Sequence, residues 1–129
     1  MTLVDTSVWI SYFKGLSTRE TQLLDYLIDT DQIVINELIM TEVLQGISNE
    51  KEYQLVKSVL LSLSFESALN KEIAVISANY YRDLRKKGVT VRKTIDCLIA
   101  SFCIKKQIRL LHNDKDFEPF VTHFGLITV

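Results

Sequence analysis

The chain has little proline and little glycine, 1 and 4 in 129 residues. That excludes collagen-like and turn-dominated architectures and leaves no material for a low-complexity linker. Cysteine is scarce too. Cys97 and Cys103 stand in a stretch that reads as one helix, which puts their Cα atoms ~9 Å apart, too far for a disulfide. Neither is spaced with His112 or His123 as zinc ligands, so both read as buried core thiols. No apolar run reaches the ~18 residues that a membrane-spanning helix needs. The opening Met1-Thr2-Leu3-Val4-Asp5 has no basic stretch leading into an apolar one, so no secretory signal is predicted and the expected compartment is the cytoplasm. What remains is a globular composition, 47% hydrophobic and 24% charged. It predicts one domain over residues 1–129 with a sizeable core.

The net charge of −1 points to no polyanionic partner by itself, but its distribution is uneven. Between Arg82 and Lys93 stand Arg82, Arg85, Lys86, Lys87, Arg92 and Lys93 against the single acid Asp83, a local charge of +5 that leaves −6 for the rest. Such a strip is either a solvated helix end or the electrostatic footprint of a nucleic acid.

Apolar clusters alternate between short runs and helical spacing. Leu3-Val4, Ile33-Val34-Ile35, Arg109-Leu110-Leu111 and Leu126-Ile127-Thr128-Val129 read as strands. Helical stripes run through Leu23–Ile28, through Ile39–Ile47 after a cap at Asn36, and through Leu55–Leu63. A fourth runs from Ile73 to Leu84 and stops at Arg85-Lys86-Lys87-Gly88. Thr94 is predicted to cap a helix from Ile95 to about Ile104 that is apolar nearly all round, hence buried. This alternation predicts an α/β domain with a mainly parallel sheet. Ligands of such sheets bind outside the carboxyl ends of the strands.

Acids stand where that rule points. Asp5 follows the first strand, Glu42 lies in the second turn of the helix after the second, and Asp96 lies in the first turn of the buried helix. Asp114 follows the Arg109–Leu111 strand, with Asp116 just beyond. Each has an ordinary structural explanation: Asp5 as a cap helped by Thr6 and Ser7, Asp96 as a dipole complement, Glu42 on a solvated face, Asp114 and Asp116 as turn residues. Together those explanations weaken, because Glu42 and Asp96 are flanked by apolar residues and clustered carboxylates at a core margin repel one another. Lys93 and Lys115 are near in sequence, yet one lysine cannot balance four acids, whereas a hard divalent cation can. Mg²⁺ or Mn²⁺ suits oxygen ligands, polarises a phosphodiester and lowers the pKa of a bound water. No Ser/His/Asp or Cys/His nucleophile set is evident, and His112 reads as structural rather than as a substrate contact.

These segments resemble the PIN-domain family, and within it the VapC-type toxin ribonucleases of type II toxin–antitoxin modules. They are Leu3-Val4-Asp5-Thr6-Ser7-Val8-Trp9, Ile39-Met40-Thr41-Glu42-Val43-Leu44-Gln45-Gly46, Thr94-Ile95-Asp96-Cys97-Leu98-Ile99-Ala100 and His112-Asn113-Asp114-Lys115-Asp116-Phe117. Their order and spacing cover essentially the whole chain. The resemblance implies an α/β/α sandwich around a mainly parallel sheet, and a metal-dependent endoribonuclease that cleaves RNA in an acidic pocket. It implies Asp5, Glu42, Asp96 and Asp114 as catalytic acids binding Mg²⁺ or Mn²⁺, Asp116 as an additional ligand, and Thr6 as a supporting hydroxyl. It places RNA contact on Arg82, Arg85, Lys86, Lys87, Arg92 and Lys93. It also implies a homodimer and a small VapB-type antitoxin whose C-terminal segment covers a hydrophobic groove. The stripes at Ile39–Ile47 and Leu55–Leu63, and Trp9, Tyr12 and Phe13, are candidates for that groove.

Other readings have specific requirements. An RNA-processing nuclease without toxin role keeps the chemistry and lacks a neighbouring antitoxin gene. A receiver-like phosphoacceptor wants an adjacent acid pair after the first strand, where Thr6 and Ser7 stand instead. A DxD phosphatase fails at Ser7, and a pure binding module needs no converging acids.

Overall fold

A computed structural model describes residues 1–129. In chain order the elements are β1 (Thr2–Val4), α1 (Thr6–Phe13), α2 (Arg19–Asp29), β2 (Ile33–Ile35), α3 (Glu37–Gln45), α4 (Glu50–Leu61), β3 (Ser64–Phe65), α5 (Lys71–Lys86), α6 (Thr94–Lys106), β4 (Arg109–Leu111) and α7 (Glu118–Phe124), the last preceded by one 3-10 turn at Lys115–Phe117.

The sheet order is β3-β2-β1-β4 and every pairing is parallel. Parallel strands need long crossovers, and each one here carries two helices. The path steps from β1 to β2 to β3 in one direction, then jumps back past β1 to β4. Right-handed crossovers in opposite directions lay their helices on opposite faces, so α1–α4 cover one side and α5–α6 the other. The order reverses between β1 and β4, where the backbone N–H of Asp5 donates to the carbonyl of Leu111 at 2.9 Å. That reversal opens a crevice at the carboxyl ends of the two strands.

Leu3, Val4, Ile33, Val34 and Ile35 are all buried, which explains why these strands read as continuous apolar runs rather than alternating ones. Between the layers, α6 sinks Cys97, Ile99, Ala100, Phe102 and Cys103. Both thiols are free, and burial raises their pKa values.

Three local expectations change, and one short strand was not expected. Leu126–Val129 is not a strand: Thr128 makes one isolated parallel bridge to Leu110, because left-handed Gly125 ends α7 and the tail meets β4 only briefly. Thr94 is the first residue of α6 rather than its cap; Lys93 holds the cap position with no side-chain hydrogen bond. β3 escapes notice because its two residues are exposed and show no alternation. Trp9 is core, 1% exposed and stacked on Phe13 at 5.6 Å, so it contributes no partner surface.

Candidate active site

Local capping chemistry sets the first acid, and a contact between helices sets the second. Asp5 caps α1, and one of its carboxylate oxygens accepts from the Ser7 backbone N–H at 3.2 Å and the Ser7 hydroxyl at 2.7 Å. Thr6, next in the chain, donates its hydroxyl to Glu42 Oε1 at 2.9 Å, tying α1 to α3. Burial raises the Glu42 pKa, the Thr6 hydroxyl opposes that rise, Asp5 adds to it and Lys93 lowers it.

Asp96 lies in the first turn of α6 and is 6% exposed. Its pKa is pushed up to about 6, chiefly by burial and further by Asp5, Asp114 and Glu42, against the pull of Lys93. Its Oδ2 is buried with no hydrogen-bond partner. Such an atom costs about 1–3 kcal/mol unless something compensates it.

Asp114 caps the 3-10 turn with Oδ1, accepting from the Asp116 backbone N–H at 2.9 Å. Its own N–H donates to His112 Nδ1 at 3.1 Å, and the His112 ring lies edge-on to Phe117. His112 therefore supports the backbone that carries Asp114. Asp96, Asp114 and Asp116 each offer a carboxylate oxygen within 4.8 Å of the others. Asp5 and Glu42 stand outside this tight triad and are felt at Asp96 electrostatically. The donor set is all oxygen, the Oδ2 of Asp96 has no other partner, and the charge is concentrated. A hard divalent cation fits these residues.

Residues 2–120 match the PIN domain and hold all five acids. The chain belongs to the PIN-domain family. It is 32% identical over 123 residues to a VapC ribonuclease of Mycobacterium bovis, covering 92% of this chain and 90% of that one. It is 30% identical over 124 residues to ribonuclease VapC1 of Methanocaldococcus jannaschii, covering 96% and 83%. Among solved structures, VapBC2 from Rickettsia felis bound to a promoter DNA fragment superposes with a TM-score of 0.78 at 19% identity, covering 99% and 96%. The parallel sheet between helical layers is thus the PIN fold that the motifs imply.

Two members of the basic strip reach the acids of this PIN domain. Arg92 pairs with Asp116 at 3.1 Å, and the charge of Lys93 acts on both Asp96 and Glu42. Arg82, Arg85, Lys86 and Lys87 stay on the exposed end of α5. Sequence reasoning missed the Arg92–Asp116 pair, which nothing local signals, whereas the help of Ser7 at the Asp5 cap was expected and is present. A cavity of about 400 Å³ lined by Ile10, Phe13, Val43 and Ile47 but also by Lys14, Ser48 and Glu52 lies among α1, α3 and α4, where a groove was expected. No helix is long and apolar enough to cross a membrane.

Proposed function

We propose that this PIN domain, one unit over residues 1–129, is a metal-dependent endoribonuclease acting as the toxin of a toxin–antitoxin pair. The observation that carries the chemistry is the buried, unpartnered Oδ2 of Asp96 within a triad of carboxylates. The VapC names of relatives at 30–32% identity support the ribonuclease activity.

Asp96, Asp114 and Asp116 would hold Mg²⁺ or Mn²⁺, with Asp5 and Glu42 deepening the negative potential. A bound divalent ion supplies an activated water and offsets charge building on the phosphodiester. The chain's own groups do the positioning. Ser7 fixes the Asp5 carboxylate, Thr6 fixes Glu42, and His112 holds the backbone of Asp114. Arg92 and Lys93 lie at the edge of the acids, where they attract the RNA backbone, while Arg82, Arg85, Lys86 and Lys87 extend the positive field along α5.

For the partner, a VapB-type antitoxin, the solved VapBC complexes supply the analogy. An amphipathic segment of it fits the cavity among α1, α3 and α4, whose lining is part apolar and part polar. A homodimer completes the assembly.

The test is cleavage of total RNA by protein shown by mass spectrometry to be free of a co-purified partner. Cleavage should require Mg²⁺ or Mn²⁺, stop with EDTA, and vanish in Asp96→Asn. Undiminished cleavage in EDTA and in Asp96→Asn overturns the assignment.

A further inference from the structure

A second cavity, of about 430 Å³, opens directly beside the acids. Asp96 and Asp116 contribute to its lining, one wall is the irregular Val89–Arg92 segment, and the other is α7 with Glu118, Thr122 and His123. The proposed chemistry uses none of those three α7 residues. We infer that this cavity receives the base of the nucleotide joined to the scissile phosphate, and that it selects bases carrying an exocyclic amino group. The inference rests on the ribonuclease reading and adds a specificity pocket to it.

Continuity is the first argument. A phosphodiester held at Asp96 and Asp116 carries a nucleoside on each side, and a space that shares both carboxylates in its lining is within reach of one of them. The volume lies in the range of pockets that hold one small ligand.

Each wall has anchors in the fold itself. The Val89 N–H donates to the Leu84 carbonyl at 2.8 Å after the left-handed turn at Gly88, and Arg92 is tied to Asp116. On the other side α7 is anchored by Phe117 and Phe120, both fully buried. A preformed cavity selects its occupant at low ordering cost.

The lining chemistry names the occupant. Val89 and Val91 offer apolar surface to the flat faces of a base. Arg92 and Lys115 put positive charge near the acids, where the phosphate lies. Glu118 works the other way: its carboxylate repels a phosphate and accepts from an amino group, as a carboxylate does from cytosine N4. The Thr122 hydroxyl and the His123 imidazole add donors and acceptors for the rest of the base edge. Adenine, cytosine and guanine offer an amino group; uracil does not.

The test uses a pool of single-stranded RNA oligonucleotides with the cut sites mapped by sequencing, for the wild type and for Glu118→Gln, Thr122→Val and His123→Ala. Glu118, Thr122 and His123 are exposed, so their side chains can be changed without opening the core. The wild type should disfavour uracil on one side of the cut. The α7 variants should cut while losing that discrimination by ~10-fold, the worth of one well-made contact to a base edge. Cleavage with no base preference on either side, or a preference unchanged in all three variants, overturns the inference while the ribonuclease reading stands. Absence of any metal-dependent cleavage overturns both.

Discussion

One guanidinium nitrogen of Arg92 contacts both oxygens of the Asp116 carboxylate, at 3.1 Å and 3.3 Å. The two residues are 24 apart in the chain, and Asp116 is also one of the three acids that converge within 4.8 Å. The same carboxylate is thus claimed by an internal cation and by the site proposed for a metal. The two claims oppose each other, since the arginine cancels one of the three negative charges that would attract the ion.

Arg92→Ala should therefore tighten Mn²⁺ binding to the RNA-free protein by ~3-fold or more. Asp116→Asn should weaken it. Isothermal titration with Mn²⁺ measures both; weaker binding in Arg92→Ala would show that the arginine is no competitor. RNA affinity should move the other way in Arg92→Ala, because a phosphate contact is lost.

Asp96 ties stability to pH. Its folded pKa, about 6, lies above its ordinary 3.8. With metal absent, the folded state then holds a proton that the unfolded state releases at lower pH. This residue's contribution is most favourable below about pH 4 and is lost as pH rises to about 6. Asp96→Asn removes that loss. In EDTA the unfolding free energy of Asp96→Asn should exceed that of the wild type by more at pH 7 than at pH 4.5, a difference on the order of 1–3 kcal/mol, read by denaturant unfolding. An equal gap at both pH values contradicts the assignment. The same variant should neither bind Mn²⁺ nor gain stability from it, whereas millimolar Mg²⁺ or Mn²⁺ should raise the wild-type melting temperature.

The Thr6 hydroxyl is the only side-chain donor that Glu42 receives from the protein. Thr6→Val keeps the shape and deletes that bond, which is worth about 1.5–3 kcal/mol to a carboxylate. The turnover rate should fall, and the acid limb of its pH profile should shift upward as Glu42 becomes harder to ionise. Thr6→Ser should restore both. An unchanged profile in Thr6→Val would detach Glu42 from the reaction.

Glu37 provides a control outside the site. Its carboxylate accepts from the backbone N–H groups of Ala68 and Leu69, the latter at 3.2 Å, and from the Ser67 hydroxyl at 3.0 Å. It clasps the chain between β3 and α5. Glu37→Ala should cost about 1–3 kcal/mol in denaturant unfolding while leaving Mn²⁺ affinity unchanged. A loss of metal affinity would mean that this clasp also shapes the acids.

Much of the fold was legible residue by residue. Ile33-Val34-Ile35 is buried on both faces, so its continuous apolar run identifies a central parallel strand. The Asn36 cap and the Arg85-Lys86-Lys87-Gly88 stop mark real helix ends, because caps and dipoles act within one turn. α7 carried no long stripe and β3 no alternation, so both elements depend on packing rather than on local pattern.

The acids divide in the same way. By itself the sequence determined that carboxylates follow β1 and β4 and open α6, since their placement depends only on strand ends and helix starts. Tertiary structure alone decided that Asp96, Asp114 and Asp116 form the tight triad, that Asp5 and Glu42 act on it from beside, and that Arg92 neutralises one of its members. The reason is physical: spacing along a chain fixes which face of an element a side chain leaves. Distances between elements follow from the reversal of strand order between β1 and β4, which no local pattern records.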